Sequence, residues 1–184
     1  MRPRIDSAQP PYSPAIQTAL DNIMPKGVAP LTLFTTLARD ERLFERFFAA
    51  GLLDKGNLSL RDREIVIHRI TGACGSEYEW GVHAAFFAPQ AKLTDEQLYS
   101  LVYGSGQDVC WDSKESLILD MCDQLQRTST LSDELWKQLR ATYSENALIE
   151  LLMLAGYYRT VSYLTNGLKL PLEAFGRRFP ARKP

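Results

Sequence analysis

The sequence predicts an all-α fold, a single-domain helical bundle. Three observations carry this. Apolar residues recur at three- and four-residue intervals along most of the chain. Ser, Thr or Asp stands just before each such stretch from residue 59 onward, the position of a helix N-cap. No segment alternates with period two over a useful length. At 184 residues the chain suits one domain with a sizeable core, needing no disulfide or metal staple.

In chain order, Pro10, Pro11 and Pro14 make residues 1–14 an extended arm without the apolar run of a signal peptide. Ala15 to Met24 reads as a short helix closed by Pro25 and Gly27. Leu33, Phe34, Leu37, Leu43, Phe44, Phe47 and Phe48 continue the helical spacing, with a joint at Arg39-Asp40. Ser59-Leu-Arg-Asp62 resembles a capping box with a shortened acid and opens a helix ending near Gly72 or Gly75. The next runs from about Ser76 to Ala88, before Pro89. Thr94-Asp-Glu-Gln97 and Asp112-Ser-Lys-Glu115 are capping boxes for helices ending near Gly104 and Arg127. Ser132 starts a helix to about Tyr143. Ser144 starts the most apolar one, stopped by Asn166-Gly167. The domain is expected over 15–172, with 173–184 a basic, proline-ended, peripheral tail.

Twenty-one basic and 22 acidic residues leave a formal charge of −1. Without excess cations to replace the counterions of phosphates, a nucleic-acid or anionic-membrane partner is not expected. The apolar stretch Ala147–Tyr157 is interrupted by Glu150 and is shorter than the roughly 20 residues of a membrane span. Cys74, Cys110 and Cys122 are odd in number and scattered, so no disulfide framework or zinc cluster follows, and a cytoplasmic location is expected. Cys110 and Cys122 read as buried thiols. Cys74, near a helix start, is a candidate for a lowered thiol pKa.

Chemistry concentrates on the only two histidines. Glu64 precedes His68, and Glu79 precedes His83, each by four residues, one helical turn. In each pair a carboxylate can fix the imidazole tautomer and leave the other ring nitrogen to exchange a proton. His68, between Ile67 and Arg69, reads as an exposed or partly buried structural residue. Glu79, between Tyr78 and Trp80, is expected to be buried, which would raise its carboxyl pKa into a useful range. The same residues offer a metal-site reading, but di-iron bundles use Glu-x-x-His at i,i+3, so no metal is assigned.

The stretch Arg61-Asp-Arg-Glu-Ile-Val-Ile-His-Arg-Ile-Thr-Gly-Ala-Cys74, followed by Glu77-Tyr-Glu-Trp-Gly-Val-His83, resembles the carboxymuconolactone decarboxylase family, which includes the alkylhydroperoxidase D-like proteins. Leu93-Thr-Asp-Glu-Gln-Leu98 and Tyr157-Tyr-Arg-Thr-Val-Ser-Tyr-Leu-Thr-Asn166 extend the resemblance over roughly residues 40–172. It implies the alkylhydroperoxidase D-like helical fold, with Glu64 and His83 at the family's glutamate and histidine. The two cysteines of the peroxidase branch would fall at Ser76 and Glu79, so the Cys-x-x-Cys pair needed for dithiol chemistry is missing. The decarboxylase branch implies a cofactor-free lyase or isomerase acting on a small carboxylated or lactone-type metabolite. Its catalytic residues would be Glu79, His83 and Glu64, and its substrate-binding residues Tyr78, Trp80 and Arg159, the last as a cation for a substrate anion. The resemblance also implies a homo-oligomer (dimer, trimer or hexamer), for which Phe44, Phe47, Phe48, Phe86 and Phe87 are candidate interface residues, though core packing explains these rings equally well. Two alternatives stand beside it: peroxide reduction through Cys74, and an oligomeric ligand-binding protein without turnover.

Overall fold

The computed structural model describes residues 2–183, and its helices are α1 (Pro14–Ile23), α2 (Thr32–Leu37), α3 (Glu41–Ala49), α4 (Leu60–Ala73), α5 (Glu77–Phe86), α6 (Asp95–Tyr103), α7 (Ser113–Thr128), α8 (Asp133–Thr142) and α9 (Glu145–Gly167). Among the described residues there is no strand, and no helix is long and apolar enough to cross a membrane.

Caps set the helix starts. The side chains of Ser13, Asp40, Ser59, Ser132 and Ser144 each accept a backbone N–H three residues on. Thr94 with Gln97 and Asp112 with Glu115 form complete capping boxes. A cap of this kind contributes about 1 kcal/mol. At Ser59 only half the box forms. Asp62 is one methylene shorter than Glu, and its carboxylate instead takes Lys114 Nζ from α7 at 2.7 Å.

α4 is the axis of the bundle, packed against α5, α6, α7 and α9. Residues 64–71 are buried all round, Glu64, His68 and Arg69 among them. Arg69 is accommodated by a two-pronged pair with Asp123, both contacts 2.7 Å, and by the carbonyls of Ser100, Leu101 and Gly104 at the C-terminal end of α6. Gly72 allows the close approach of α6: a Cβ there would lie 2.9 Å from the Leu101 carbonyl. α4 ends in a Schellman turn, with Ser76 N–H donating to Thr71 O at 2.8 Å and Gly75 N–H to Gly72 O at 3.0 Å. Gly75 sits at φ +63°, which a side chain would resist. This tight reversal lays α5 directly beside α4.

α1 packs on α3 through Ile16, Leu20 and Phe44 in a small second cluster. Cys122 is buried as expected, whereas Cys110 is only half-buried. The tail corrects the expectation of a peripheral segment. Glu173 accepts from Thr32 N–H at 2.6 Å and from the Tyr78 hydroxyl. Arg177 N–H donates to Gly81 O at 3.0 Å, and Phe179 N–H to Glu77 Oε1 at 3.0 Å. Phe175 packs on Phe86 and Phe179 on Trp80. Basic composition concealed two aromatic anchors that strap the tail across α5.

Gly81 is bare because the Arg177 carbonyl occupies the space of a Cβ. Gly81→Ala is expected to cost about 1–3 kcal/mol, by overpacking, and to loosen the strap. The readouts are a lower melting temperature and faster tryptic cleavage at Arg177 and Arg178. Wild-type melting with an equally resistant tail would contradict this role.

Candidate functional site

His83 stands at the centre of a buried network built from three helices. Its Nδ1 donates to Glu64 Oε2 on α4 at 2.9 Å, and its Nε2 lies 3.1 Å from the Tyr158 hydroxyl on α9. Glu79, one turn earlier on α5, places Oε1 3.5 Å from the same Nε2. The carbonyl of Glu64 can only accept, so His68 Nδ1, 2.7 Å away, carries a proton and its Nε2 is bare and unpartnered. His68 is therefore fully buried, contrary to the exposed or partly buried role expected for it. The neighbouring Arg69 suggested solvent, but that guanidinium is itself buried on α6 and α7.

Burial opposes charge on both partners of the Glu64–His83 contact, and their attraction outweighs it. Burial alone would lower the imidazole pKa, yet the Glu64 carboxylate, its hydrogen bond and Glu79 push His83 up to about 9. Burial would raise the Glu64 carboxyl, but His83, His68 and Arg63 hold it below its ordinary value. His68 goes the other way: burial pushes it down to about 4, only partly offset by Glu64. At neutral pH the pair is carboxylate and imidazolium, and the second imidazole is neutral.

The network forms one wall of a cavity of about 690 Å³ between α1, α2, α3, α5 and α9. Glu79, His83 and Tyr158 reach it, and Phe34, Phe47, Phe48, Phe86 and Phe87 supply apolar walls. The volume is in the range of small-molecule sites. Four of these rings were read as candidate interface residues. Phe47, Phe48, Phe86 and Phe87 instead face the cavity, while Phe44 is buried between α1 and α3.

The three expected substrate-binding residues are not at this cavity. Tyr78 is buried with its hydroxyl between Leu33 N and Glu173, and Trp80 is enclosed by His68 and Phe179. Successive helical residues diverge by about 100°, so sequence neighbours of a cavity-facing Glu79 must face elsewhere. The same step separates Arg159 from the inward Tyr158. Its guanidinium bonds the Tyr163 hydroxyl at 2.6 Å and approaches the Gln126 carbonyl on α7. The residues that sequence reasoning missed as site members are Tyr158 and the phenylalanines of α2 and α3. The adjacent aromatic pair Tyr157-Tyr158 within the most apolar helix was the available signal.

At the positions of the missing dithiol, Ser76 is buried against Thr165 at 2.8 Å and Glu79 faces the cavity. Cys74 caps the end of α4, its sulfur facing Gln126 and not the cavity.

The two histidines give opposite pH limbs to stability. The folded protein keeps the His83 proton up to about 9, while an unfolded chain releases it near 6.5, so this stabilisation is full below 6.5 and is lost as pH rises to about 9. Between about 4 and 6.5 the unfolded chain binds a proton that folded His68 refuses, so stability rises with pH there. Glu64 adds to the acid limb, since its stabilisation is lost as pH falls through its lowered folded value. Denaturant unfolding across this range is expected to show maximal stability near pH 6.5. His83→Gln is expected to flatten the alkaline limb and cost about 3–5 kcal/mol, the penalty for orphaning a buried charge. Stability still rising between neutral pH and 9 would contradict the assignment.

Residues 41–117, which contain Glu64, Glu79 and His83, match the carboxymuconolactone decarboxylase family. No curated protein matches the chain in sequence. Among solved structures, an uncharacterized peroxidase-related protein from Silicibacter sp. TM1040 superposes with a TM-score of 0.82 at 15% identity, over 98% of this chain and 99% of that one. The alkylhydroperoxidase AhpD core of an uncharacterized peroxidase-related protein from Ralstonia eutropha JMP134 gives 0.82 at 15% identity, over 94% and 93%. The debrominase Bmp8 in complex with 2,3,4-tribromopyrrole gives 0.70 at 17% identity, over 95% and 94%. At these identities the likeness establishes the fold and no activity. The chain therefore has the helical fold of these alkylhydroperoxidase D-like structures, matches the carboxymuconolactone decarboxylase family over residues 41–117, and carries no Cys-x-x-Cys pair.

Proposed function

We propose that the protein is a cofactor-free acid–base enzyme, a lyase or isomerase acting on a small carboxylated or lactone-type metabolite. The observation that carries this reading is the Glu79 carboxylate, at an apolar cavity wall, backed by an imidazolium that is itself fixed by Glu64 and Tyr158. Glu79 is the group in position to touch substrate. It takes a proton from a carbon next to the substrate carbonyl, leaving the electron pair as an enolate, and returns the proton at carbon. In the lyase variant, the C–C bond to the substrate carboxylate breaks, CO2 leaves and the electron pair stays behind as the same enolate, which takes a solvent proton delivered by way of Glu79. His83 holds its Nε2 proton toward Glu79 and Tyr158, offsetting the negative charge that shuttles between Glu79 and the ring. Glu64 is a positioning residue, since it acts only through His83.

The aromatic walls lower the polarity around Glu79, which strengthens these electrostatic effects. A dithiol peroxidase would need sulfur at positions 76 and 79, where this chain has Ser76 and Glu79.

Proton–deuterium exchange in D2O, followed by NMR over a panel of unsaturated lactones and cyclic acids, reads this step without requiring a known product. The wild type is expected to label at least one panel member. Glu79→Gln, with its fold retained by circular dichroism, is expected to slow labelling by about 10²–10⁴-fold. Labelling by Glu79→Gln at the wild-type rate would overturn the proposal.

A further inference from the structure

The charge pattern of the cavity narrows what it can hold. Among the described residues no lysine or arginine lines it, whereas two carboxylates do: Glu79 within, and the exposed Asp54 from the α3–α4 connection. Arg63 stands behind Phe87, its Cζ 5.9 Å from the ring centroid, but is turned away. Its Nη1 donates to Leu53 O at 2.7 Å, and its Nε faces Glu64 Oε1 at 3.5 Å. The one cation that reaches the wall, His83, is already matched by Glu64. A carboxylate ligand would therefore give up its hydration, meet like charge and find no free cation among the lining residues, only the neutral amides of Asn22 and Gln90.

The orphaned atom points to the complementary ligand. Glu79 Oε2 is buried without a hydrogen-bond partner, and its residue lines the cavity. A buried acceptor is costly until a donor reaches it. No protein group supplies one, so a donor on a bound ligand would relieve it.

The geometry points to an uncharged, planar ring compound bearing an O–H or N–H donor as the substrate class, with the donor on the Glu79 carboxylate and the ring among the phenylalanines, and with carboxylate anions disfavoured. A phenolic or enolic hydroxyl and a heteroaromatic N–H share this chemistry. The inference rests on the cavity being the substrate site, and it narrows the proposed substrates to neutral, lactone-type rings, which keeps the isomerase step and drops the decarboxylating one.

Calorimetric titration at pH 7 with 1-naphthol, 1-methoxynaphthalene and 1-naphthoate separates donor, shape and charge on one ring system. The naphthol is expected to bind roughly ten-fold or more tighter than the methyl ether, and the naphthoate weaker than both. Glu79→Gln is expected to shrink the preference for the naphthol over its ether. Asp54→Asn changes an exposed side chain and puts no fold at risk. It is expected to raise naphthoate affinity relative to that of the naphthol. Naphthoate binding as tightly as the naphthol, an ether that binds equally well, or no detectable naphthol binding would each overturn the inference. Binding in the expected order, with no deuterium exchange on any compound, would uphold the ligand class while overturning the acid–base reading.

Discussion

Glu64 carries a charge with no access to water, and the arrangement of the site follows from satisfying it. Its side chain is 0% exposed. Removing an ion from water costs several kcal/mol even after relaxation, so the fold must bring an opposite charge to it. His83 supplies that charge at 2.9 Å, with Arg63 at 3.5 Å as a second, longer contact. This requires α5 to lie tightly against α4, which the Schellman turn at Cys74–Ser76 and the left-handed Gly75 make possible. Tyr158 then closes the far side of the imidazole from α9. Three helices are thus held in register by one buried ion pair.

The same pair divides the labour of the cavity wall. Because Glu64 keeps His83 charged, the imidazole presents a fixed N–H on its cavity side instead of an ambiguous tautomer. Glu79 is left as the carboxylate at the cavity wall, with one oxygen that no protein group bonds. Of three ionisable groups in one cluster, two neutralise each other and one remains for chemistry. His68 stays neutral beside them, fixed by the Glu64 carbonyl and packed edge-on against Trp80.

Helix positions were legible in the sequence because caps and apolar spacing are local properties. Ser59, Thr94, Asp112, Ser132 and Ser144 each open a helix in the structure. The proximity of Glu79 to His83 was legible for the same reason, as residues one turn apart share a face. Contacts between helices were less so. Spacing paired the carboxylate of Glu64 with His68, and only packing shows that it bonds His83 while its carbonyl takes His68. Tyr78 and Trp80 flank Glu79 in the chain yet point to the tail strap and the core. Arg159 looked like a buried cation because its helix is apolar, but that helix also has a face toward α7 and solvent. The cavity walls come from residues 34–48 and 86–87, brought together across the bundle by contacts that no local pattern encodes.

The claim on which all of this depends is that His83 is an imidazolium at neutral pH because of Glu64. Nitrogen-15 NMR of the two histidine side chains across a pH titration tests it directly. The account predicts that His83 carries protons on both ring nitrogens at pH 7 and titrates near 9, that His68 stays a neutral Nδ1–H tautomer down to about 4, and that Glu64→Gln brings the His83 titration down sharply. A His83 that is neutral at pH 7 in the wild type, or whose titration is unmoved by Glu64→Gln, would contradict it.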